Sequence, residues 1–483
     1  MTSTTAPTGL DRFLREATAV LPRDALSIED VQLDRYTSDS YWKALAYRDR
    51  GQPLGRPWVV ATPTTEEQIP VLLQLAARHR IPVVPWGGGS GSQGGAVPTQ
   101  GGLVIDLRNL AEVVELDEES GIVSVQAGAN GAEFEAWLNA RGYTFPHYPA
   151  SAEWATVGGY VAARGSGVLS TRYGKIEDLT VSIRLATPEG RLIDLLPAPR
   201  HAVGPDLASL IIGSEGALGV ITRVTLQVMP QPTQRLFACV AFDNTRVGVD
   251  AYRDVMIHGF RPAVVRLYDE VATQHTLRPV LQSAKTSMSE QVVSIMTFEG
   301  EGGLAQAERD GTLDLCRQHS ARVLDPQFAE HWWEHRYDFY RPPFYPQLPN
   351  VWGTFDIVAP YKTLMSAYDA LQESVAIPFA KYGLQLRTHF SHWYQWGAMY
   401  YARFVMPDPG PDVLEIHEQI WREGMDAVVA AGGMINDHHG VGLKLAPWMR
   451  AQHGEALDLL REVKRAFDPH GVMNPGKLDL DAP

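Results

Sequence analysis

Between residues 85 and 95 the chain reads Pro85-Trp86-Gly87-Gly88-Gly89-Ser90-Gly91-Ser92-Gln93-Gly94-Gly95. A run so rich in glycine leaves backbone N–H groups bare and free to converge on an anion such as a diphosphate. It follows Ile81-Pro82-Val83-Val84, a short apolar stretch that reads as a strand. The run has neither the spacing of a dinucleotide fingerprint in a βαβ unit nor the Lys-Ser/Thr ending of a P-loop. By itself it is compatible with an anion cradle or with a surface turn.

Further on come Pro149-Ala150-Ser151-Ala152-Glu153-Trp154-Ala155-Thr156-Val157-Gly158-Gly159 and Arg164-Gly165-Ser166-Gly167. Tyr173-Gly174, Asp178-Leu179 and Gly213-Ser214-Glu215-Gly216-Ala217-Leu218-Gly219-Val220-Ile221-Thr222 continue the series. In this order and spacing the motifs resemble the FAD-binding domain of the vanillyl-alcohol-oxidase-like flavoproteins. The resemblance runs from roughly residue 55 to 230 and resumes at the C-terminus.

The chain's organisation agrees with it. Its 483 residues exceed one ordinary core and predict two or three domains. Pro57–Ala61 reads as a strand, and Thr64 with Glu67 offers a capping box to a helix carrying Ile69, Leu72, Leu73, Ala76 and Ala77, whose first turn Pro70 weakens. Thr156–Ala163 opens a helix whose N-terminal N–H groups suit cofactor phosphates. Pro230-Gln231-Pro232 marks a boundary. Beyond it, apolar runs at Leu236–Phe242, Val292–Phe298 and Tyr401–Val405 alternate with helical stretches. The expected fold is α+β: a PCMH-type FAD-binding domain of two α+β subdomains (1–230), an α+β cap or substrate domain on an antiparallel sheet (231–430), and a C-terminal segment (431–483) that returns to the FAD domain.

The resemblance implies FAD as cofactor. It carries phosphate and ribityl contacts onto Pro85, Gly87, Gly88, Gly89, Ser90, Gly91 and Ser92, and onto Ser151, Thr156, Gly158, Gly159 and Ser166. Glu215, Gly219 and Ile221 match the strand-turn segment beside the adenine and the diphosphate. Thr156 best suits a place near the flavin, because its hydroxyl can donate to the ring or the substrate. Some relatives bond a histidine covalently to the ring. None stands between Ser90 and Gly95, so FAD is expected to be non-covalent.

His438-His439-Gly440-Val441-Gly442 is the sharpest catalytic candidate. A base beside the flavin takes a proton from a substrate hydroxyl as hydride leaves, and the pKa of histidine lies near neutrality. The alternative is a turn with one histidine satisfied by backbone. The run also resembles that of the alkyl-dihydroxyacetonephosphate synthases, as do Arg172 to Leu179, Gly204-Pro205-Asp206, Arg266-Leu267 and the pattern Tyr394-x-x-Gly397-Ala398-x-x-Tyr401. That likeness implies acid/base work for Tyr401 and places for Arg266 and Arg341 near flavin and substrate; the match at Arg341 needs a gap. Asp437 stands where those synthases have a third histidine. D-lactate and glycolate dehydrogenase-like proteins share the superfamily, and several hold a metal. Here His392 falls near the first ligand, Tyr400 or Met399 at the second and His438 at the glutamate. Two nitrogens make a poor site, so no metal is expected.

Residues 330–400 depart from the synthases and are aromatic: Trp332, Trp333, Trp352, Trp393, Tyr394 and Trp396, followed by Tyr400 and Tyr401. Such side chains pack cores, and where they line a cavity they favour an apolar or aromatic substrate. The expected activity is FAD-linked oxidation, with hydride passing from a hydroxyl-bearing or benzylic carbon of a small organic substrate to flavin. The alternative is a redox-neutral transferase of the alkyl-dihydroxyacetonephosphate synthase type, working through a flavin–substrate adduct. A flavin-binding protein without turnover is the remaining reading.

A net charge of −14, from 42 basic and 56 acidic side chains, argues against nucleic acid as a partner. The two cysteines, Cys239 and Cys316, cannot make a disulfide framework or a cysteine-ligated zinc site, and read as buried thiols. No apolar stretch reaches the ~18 residues of a membrane span, and the N-terminus lacks the regions of a secretory signal. Leu480-Asp481-Ala482-Pro483 is not a peroxisomal address. The expectation is a cytoplasmic protein, homodimeric as relatives commonly are.

Overall fold

A computed structural model describes residues 9–198, 200–278, 292–338 and 348–481. The protein is α+β and divides into two compact units. One comprises Met1–Ser166, Lys175–Pro230 and His438–Pro483; the other comprises Gly167–Gly174 and Gln231–Asp437.

The first unit holds two main sheets. In one, Val59–Ala61, Leu103–Asp106 and Val83–Trp86 run parallel, with Leu26–Ser27 antiparallel at the edge. Parallel neighbours need a crossover, and Gln68–His79 supplies it. Its apolar stripe, Ile69, Leu72, Leu73 and Ala76, is buried in the core of this sheet. The expected capping box does not form. The helix begins at Gln68, whose Oε1 accepts from the N–H groups of Thr64 (2.8 Å) and Thr65 (3.2 Å). Pro70 therefore falls in the first turn, where a missing N–H has no intrahelical bond to lose. Residues 472–474 add to the free edge beside Val83, which donates to Val472 O (2.7 Å) and accepts from Asn474 N (2.7 Å).

The other sheet is antiparallel, in the order Val113–Asp117, Ile122–Gln126, Val220–Gln227, Thr180–Ala186, Leu192–Asp194. Its inward residues, Val123, Val125, Ile183, Leu185, Val224 and Leu226, pack against the helices Gly131–Asn139 and Val157–Ala162. Asn130 caps the first of these helices and Thr156 the second, through a hydroxyl that accepts from Gly159 N. Glu66, only 2% exposed, joins the two sheets. It precedes the crossover helix, and its carboxylate accepts from Arg223 Nε (2.9 Å), Arg184 Nη1 (3.2 Å) and Thr222 Oγ1 (3.3 Å) on the second sheet.

The second unit is built on a seven-stranded antiparallel sheet. Its order is Arg322–Leu324, Gln234–Phe242, Val292–Gly300, Val264–Tyr268, Gln385–Trp393, Gly397–Met406, Val351–Pro360. The three apolar runs of the sequence form three of these strands. Alternation along them separates two faces. Phe242 and Ser294 meet Tyr252 of the helix Thr245–Ile257 on one face. Cys239, Ala241, Val293 and Ile295 pack with Phe328, Ala329 and Trp332 of Gln327–His335 on the other. Both cysteines are buried and free, and burial pushes the Cys316 thiol up to about 12. Among the described residues no helix is long and apolar enough to cross a membrane.

Candidate active site

In the first unit the glycine run leaves the strand Val83–Trp86 and turns against the segment 151–159. Three of its glycines are required by contact. A Cβ on Gly87 would lie 2.3 Å from Thr156 Oγ1, and one on Gly88 would lie 1.8 Å from the carbonyl oxygen of Trp154. Gly89 has φ +64° and lies against the Trp86 ring. Any side chain here would push the loop away from the cap of the Val157–Ala162 helix. Ser40 braces the loop, its N–H donating to Gly91 O (2.9 Å). Ser92 Oγ is buried with no hydrogen-bond partner in the structure.

The His438–Gly442 segment is strapped onto the same loop. Glu215 carries the strap: its carboxylate accepts from Val441 N, and from Gly442 N at 2.9 Å. Gln93 O accepts from Leu443 N (2.9 Å) and Lys444 N (3.1 Å). Asn474 Nδ2 bridges Gly95 O (2.8 Å) and Glu215 O (2.6 Å). Gly95 and Gly440 are the cost of this closeness, since a Cβ on either would come within 2.7 Å of the Glu215 carboxylate. The imidazoles of His438 and His439 are half-buried, with ring centroids 4.2 Å apart.

Two further buried ionisable groups surround Glu215. Burial raises its pKa to about 7, against the pull of the Val441 and Gly442 N–H groups and of Lys477. Burial likewise raises Asp39 to about 6, although it accepts from Tyr41 N (3.0 Å) and Ala96 N (3.3 Å). Lys477 is lowered to about 8 by its own burial, which Asp39 and Glu215 partly offset.

The second unit carries Arg266 and Tyr401 on one face of its sheet. Tyr268, His389, Tyr401 and Asp356 face one another across four adjacent strands. His389 stacks on Tyr401 at 5.0 Å and lies 5.6 Å from Tyr268, whose hydroxyl accepts from Trp332 Nε1 (2.8 Å). The Arg266 guanidinium lies 5.4 Å from the Trp332 ring centre, and its Nε is buried with no hydrogen-bond partner in the structure. Tyr394 donates to Asp437 Oδ1 (2.7 Å). Of the aromatic residues, Trp332, Trp352, Trp393 and Tyr400 are buried and Trp396 is exposed.

Of the residues anticipated from sequence, Gly87, Gly88, Gly89, Thr156 and Gly159 come together at the loop. Ser90, Gly91 and Ser92 continue it, and Pro85 lies in the strand before it, against Gly216. Ser151 starts the facing turn, its carbonyl accepting from Trp154 N (2.9 Å) and Ala155 N (2.8 Å), and Ser166 is buried. Gly158, Gly219 and Ile221 sit in packing positions: Gly158 against Ala127, Gly219 against Ala186 O, and Ile221 in the core of the second sheet. Arg341 lies outside the described residues. Sequence reasoning missed Asp39, whose surroundings Ser38-Asp39-Ser40 carry no motif. It missed the anchoring of the strap by Glu215, which belongs to a recognised motif but finds its partners 226 and 227 residues away. It also missed His147, in Pro146-His147-Tyr148-Pro149.

The residues present fit FAD. The loop offers bare backbone where side chains would clash, and buried Ser92 Oγ faces no protein partner. Residues 57–196 match the family described as FAD binding domain, and residues 231–478 match the FAD linked oxidases, C-terminal domain. The chain belongs to the FAD-linked oxidases, and is an FAD-dependent enzyme of the oxidase and dehydrogenase class. Its cofactor is bound non-covalently, as is typical of the family. It is 28% identical to an alkyldihydroxyacetonephosphate synthase of Trypanosoma brucei brucei, over 94% of this chain and 79% of that protein. It is 29% identical to the uncharacterised FAD-linked oxidoreductase YgcU of Escherichia coli O157:H7, over 87% of this chain and 89% of the relative. Among solved structures, an alkyldihydroxyacetonephosphate synthase superposes with a TM-score of 0.81 at 25% identity, over 98% of this chain and 85% of that one.

Proposed function

We propose that this enzyme oxidises a small organic substrate at a hydroxyl-bearing or benzylic carbon. FAD, when bound, supplies the two-electron sink for the hydride. Gly87, Gly88, Gly89, Ser90, Gly91 and Ser92 would hold its phosphates together with Ser151, Gly159 and Ser166, and Thr156 would stand by the ring. His439, with His438 beside it, accepts the substrate hydroxyl proton. Tyr401 assists that proton transfer, and Arg266, with Arg341, holds an anionic group or oxyanion. The observation that carries this reading is the strap: Glu215 and the Gln93 carbonyl hold the two histidines on the glycine loop. The buried, unpartnered Nε of Arg266 supports its role, because a guanidinium donor in such a place calls for an acceptor.

Anaerobic mixing with a panel of alcohols, hydroxy acids and alkylphenols tests this. Bleaching of the oxidised flavin band by at least one of them is expected. A second reading, redox-neutral group transfer, is favoured by similarity to an alkyldihydroxyacetonephosphate synthase along 94% of the chain. It requires the band to bleach with acyl-dihydroxyacetone phosphate and to recover without oxygen when a fatty alcohol is added. That result, with no response to the panel, would replace the first reading by the second.

A further inference from the structure

His147 lies in the first unit and is 2% exposed. Both its ring nitrogens are buried with no hydrogen-bond partner in the structure. The Phe145 ring is 5.6 Å away and the Tyr160 ring meets it edge-on at 4.9 Å. Gly165 closes another side, where a Cβ would stand 3.5 Å from Nε2. Leaving a buried polar group unpaired is unfavourable, so an imidazole with two such atoms destabilises the core unless something completes it.

The surroundings indicate what does. Tyr160 belongs to the Val157–Ala162 helix, whose cap Thr156 abuts Gly87 of the cradle. Burial above all, and then the neighbouring His438, first residue of the strap, and Lys175, disfavour protonation of His147, and its pKa falls to about 3. It is therefore neutral at working pH and offers one donor and one acceptor. A diphosphate calls for donors and positive charge, which a neutral imidazole supplies weakly. The flavin ring system carries carbonyl and ring-nitrogen groups side by side along its edge, and a donor–acceptor pair suits it.

We propose that His147 is a further cofactor-contacting residue, whose ring nitrogens hydrogen-bond the flavin end of FAD. The inference rests on the cradle holding FAD and is independent of which substrate is oxidised. The test uses His147→Phe and His147→Gln in the full chain. Phenylalanine fills the site without polar atoms, so after FAD removal the Phe variant should melt higher than the parent. Its dissociation constant for FAD should rise about tenfold or more, the equivalent of one lost hydrogen bond of ~1.4 kcal/mol, and the absorption band of its bound flavin should shift. Glutamine keeps a donor and an acceptor and should retain most of the affinity. A Phe variant that melts lower without FAD and binds FAD as tightly as the parent would mean that protein or buried water satisfies His147, and would overturn the proposal. Unchanged FAD affinity and flavin spectrum with a raised KM would assign the residue to the substrate and overturn it equally. Should the Phe variant fail to fold, His147→Leu takes its place: a raised dissociation constant with a shifted flavin band upholds the proposal, and unchanged affinity and spectrum overturn it.

Discussion

At Gly88 a single carbon separates a working loop from a displaced one. An added methyl would meet the Trp154 carbonyl at 1.8 Å, and neither partner is a flexible side chain that can swing away. Gly88→Ala should therefore leave the fold intact and shift the loop. Overpacking strain of 1–3 kcal/mol corresponds to roughly a 10- to 100-fold weaker affinity for FAD, readable by titration of the apoprotein. An unchanged affinity would show that the loop is not the diphosphate's seat. The glycines could be read from sequence because the lack of a side chain is itself their function. His147 could not, because a histidine between two prolines takes its meaning only from the ring walls that other segments bring to it.

At the scale of elements, the strap is the device to test. His439→Ala should lower turnover by 10²- to 10⁴-fold if the imidazole is the base, with FAD content unchanged; near-normal turnover would remove it from the mechanism. Glu215 gives a different signature. Its pKa is raised from 4.5 to about 7 by burial, so between these values the folded state binds more protons than the unfolded one. Stability from this group is fully present below about pH 4.5 and is lost as pH rises toward 7. Glu215→Gln stays neutral throughout, so denaturant titrations should show it gaining on the parent across that window. A constant difference from pH 4.5 to 7.5 would contradict the raised pKa. The helix after the first strand teaches a related lesson: Thr64 and Glu67 offered a capping box, yet Gln68 took the Thr64 N–H that the box would have used, and that of Thr65 with it. Local pattern named the element, and competition among neighbouring acceptors chose its first residue.

For the whole molecule, Glu66 is the point where the two sheets of the first unit depend on each other. Its carboxylate is buried and takes donors from Arg184, Arg223 and Thr222. Glu66→Ala takes this carboxylate from the Arg223 guanidinium at about one-quarter exposure, where water relieves only part of the penalty, and leaves Arg184 with its pair to Asp194 alone. The expected loss is about 3 kcal/mol, the lower end for breaking a buried pair, measured by chemical denaturation of the apoprotein. A loss below 1 kcal/mol would mean that the sheets are held by apolar packing alone.

The amino-acid order alone determined the α+β class, the bare backbone of the loop, the capped helix facing it and three strands of the second unit's sheet. These rest on periodicity and backbone sterics, which act between near neighbours. Val264–Tyr268, Val351–Pro360 and Gln385–Trp393 stood out less, because charged and aromatic residues interrupt their alternation. Only the tertiary structure decided that Glu215 anchors the histidine strap, that Asp39 and Lys477 share its pocket and that His147 has no protein partner. The first two are set by contacts between segments hundreds of residues apart and the third by desolvation, and such forces leave no pattern along the chain.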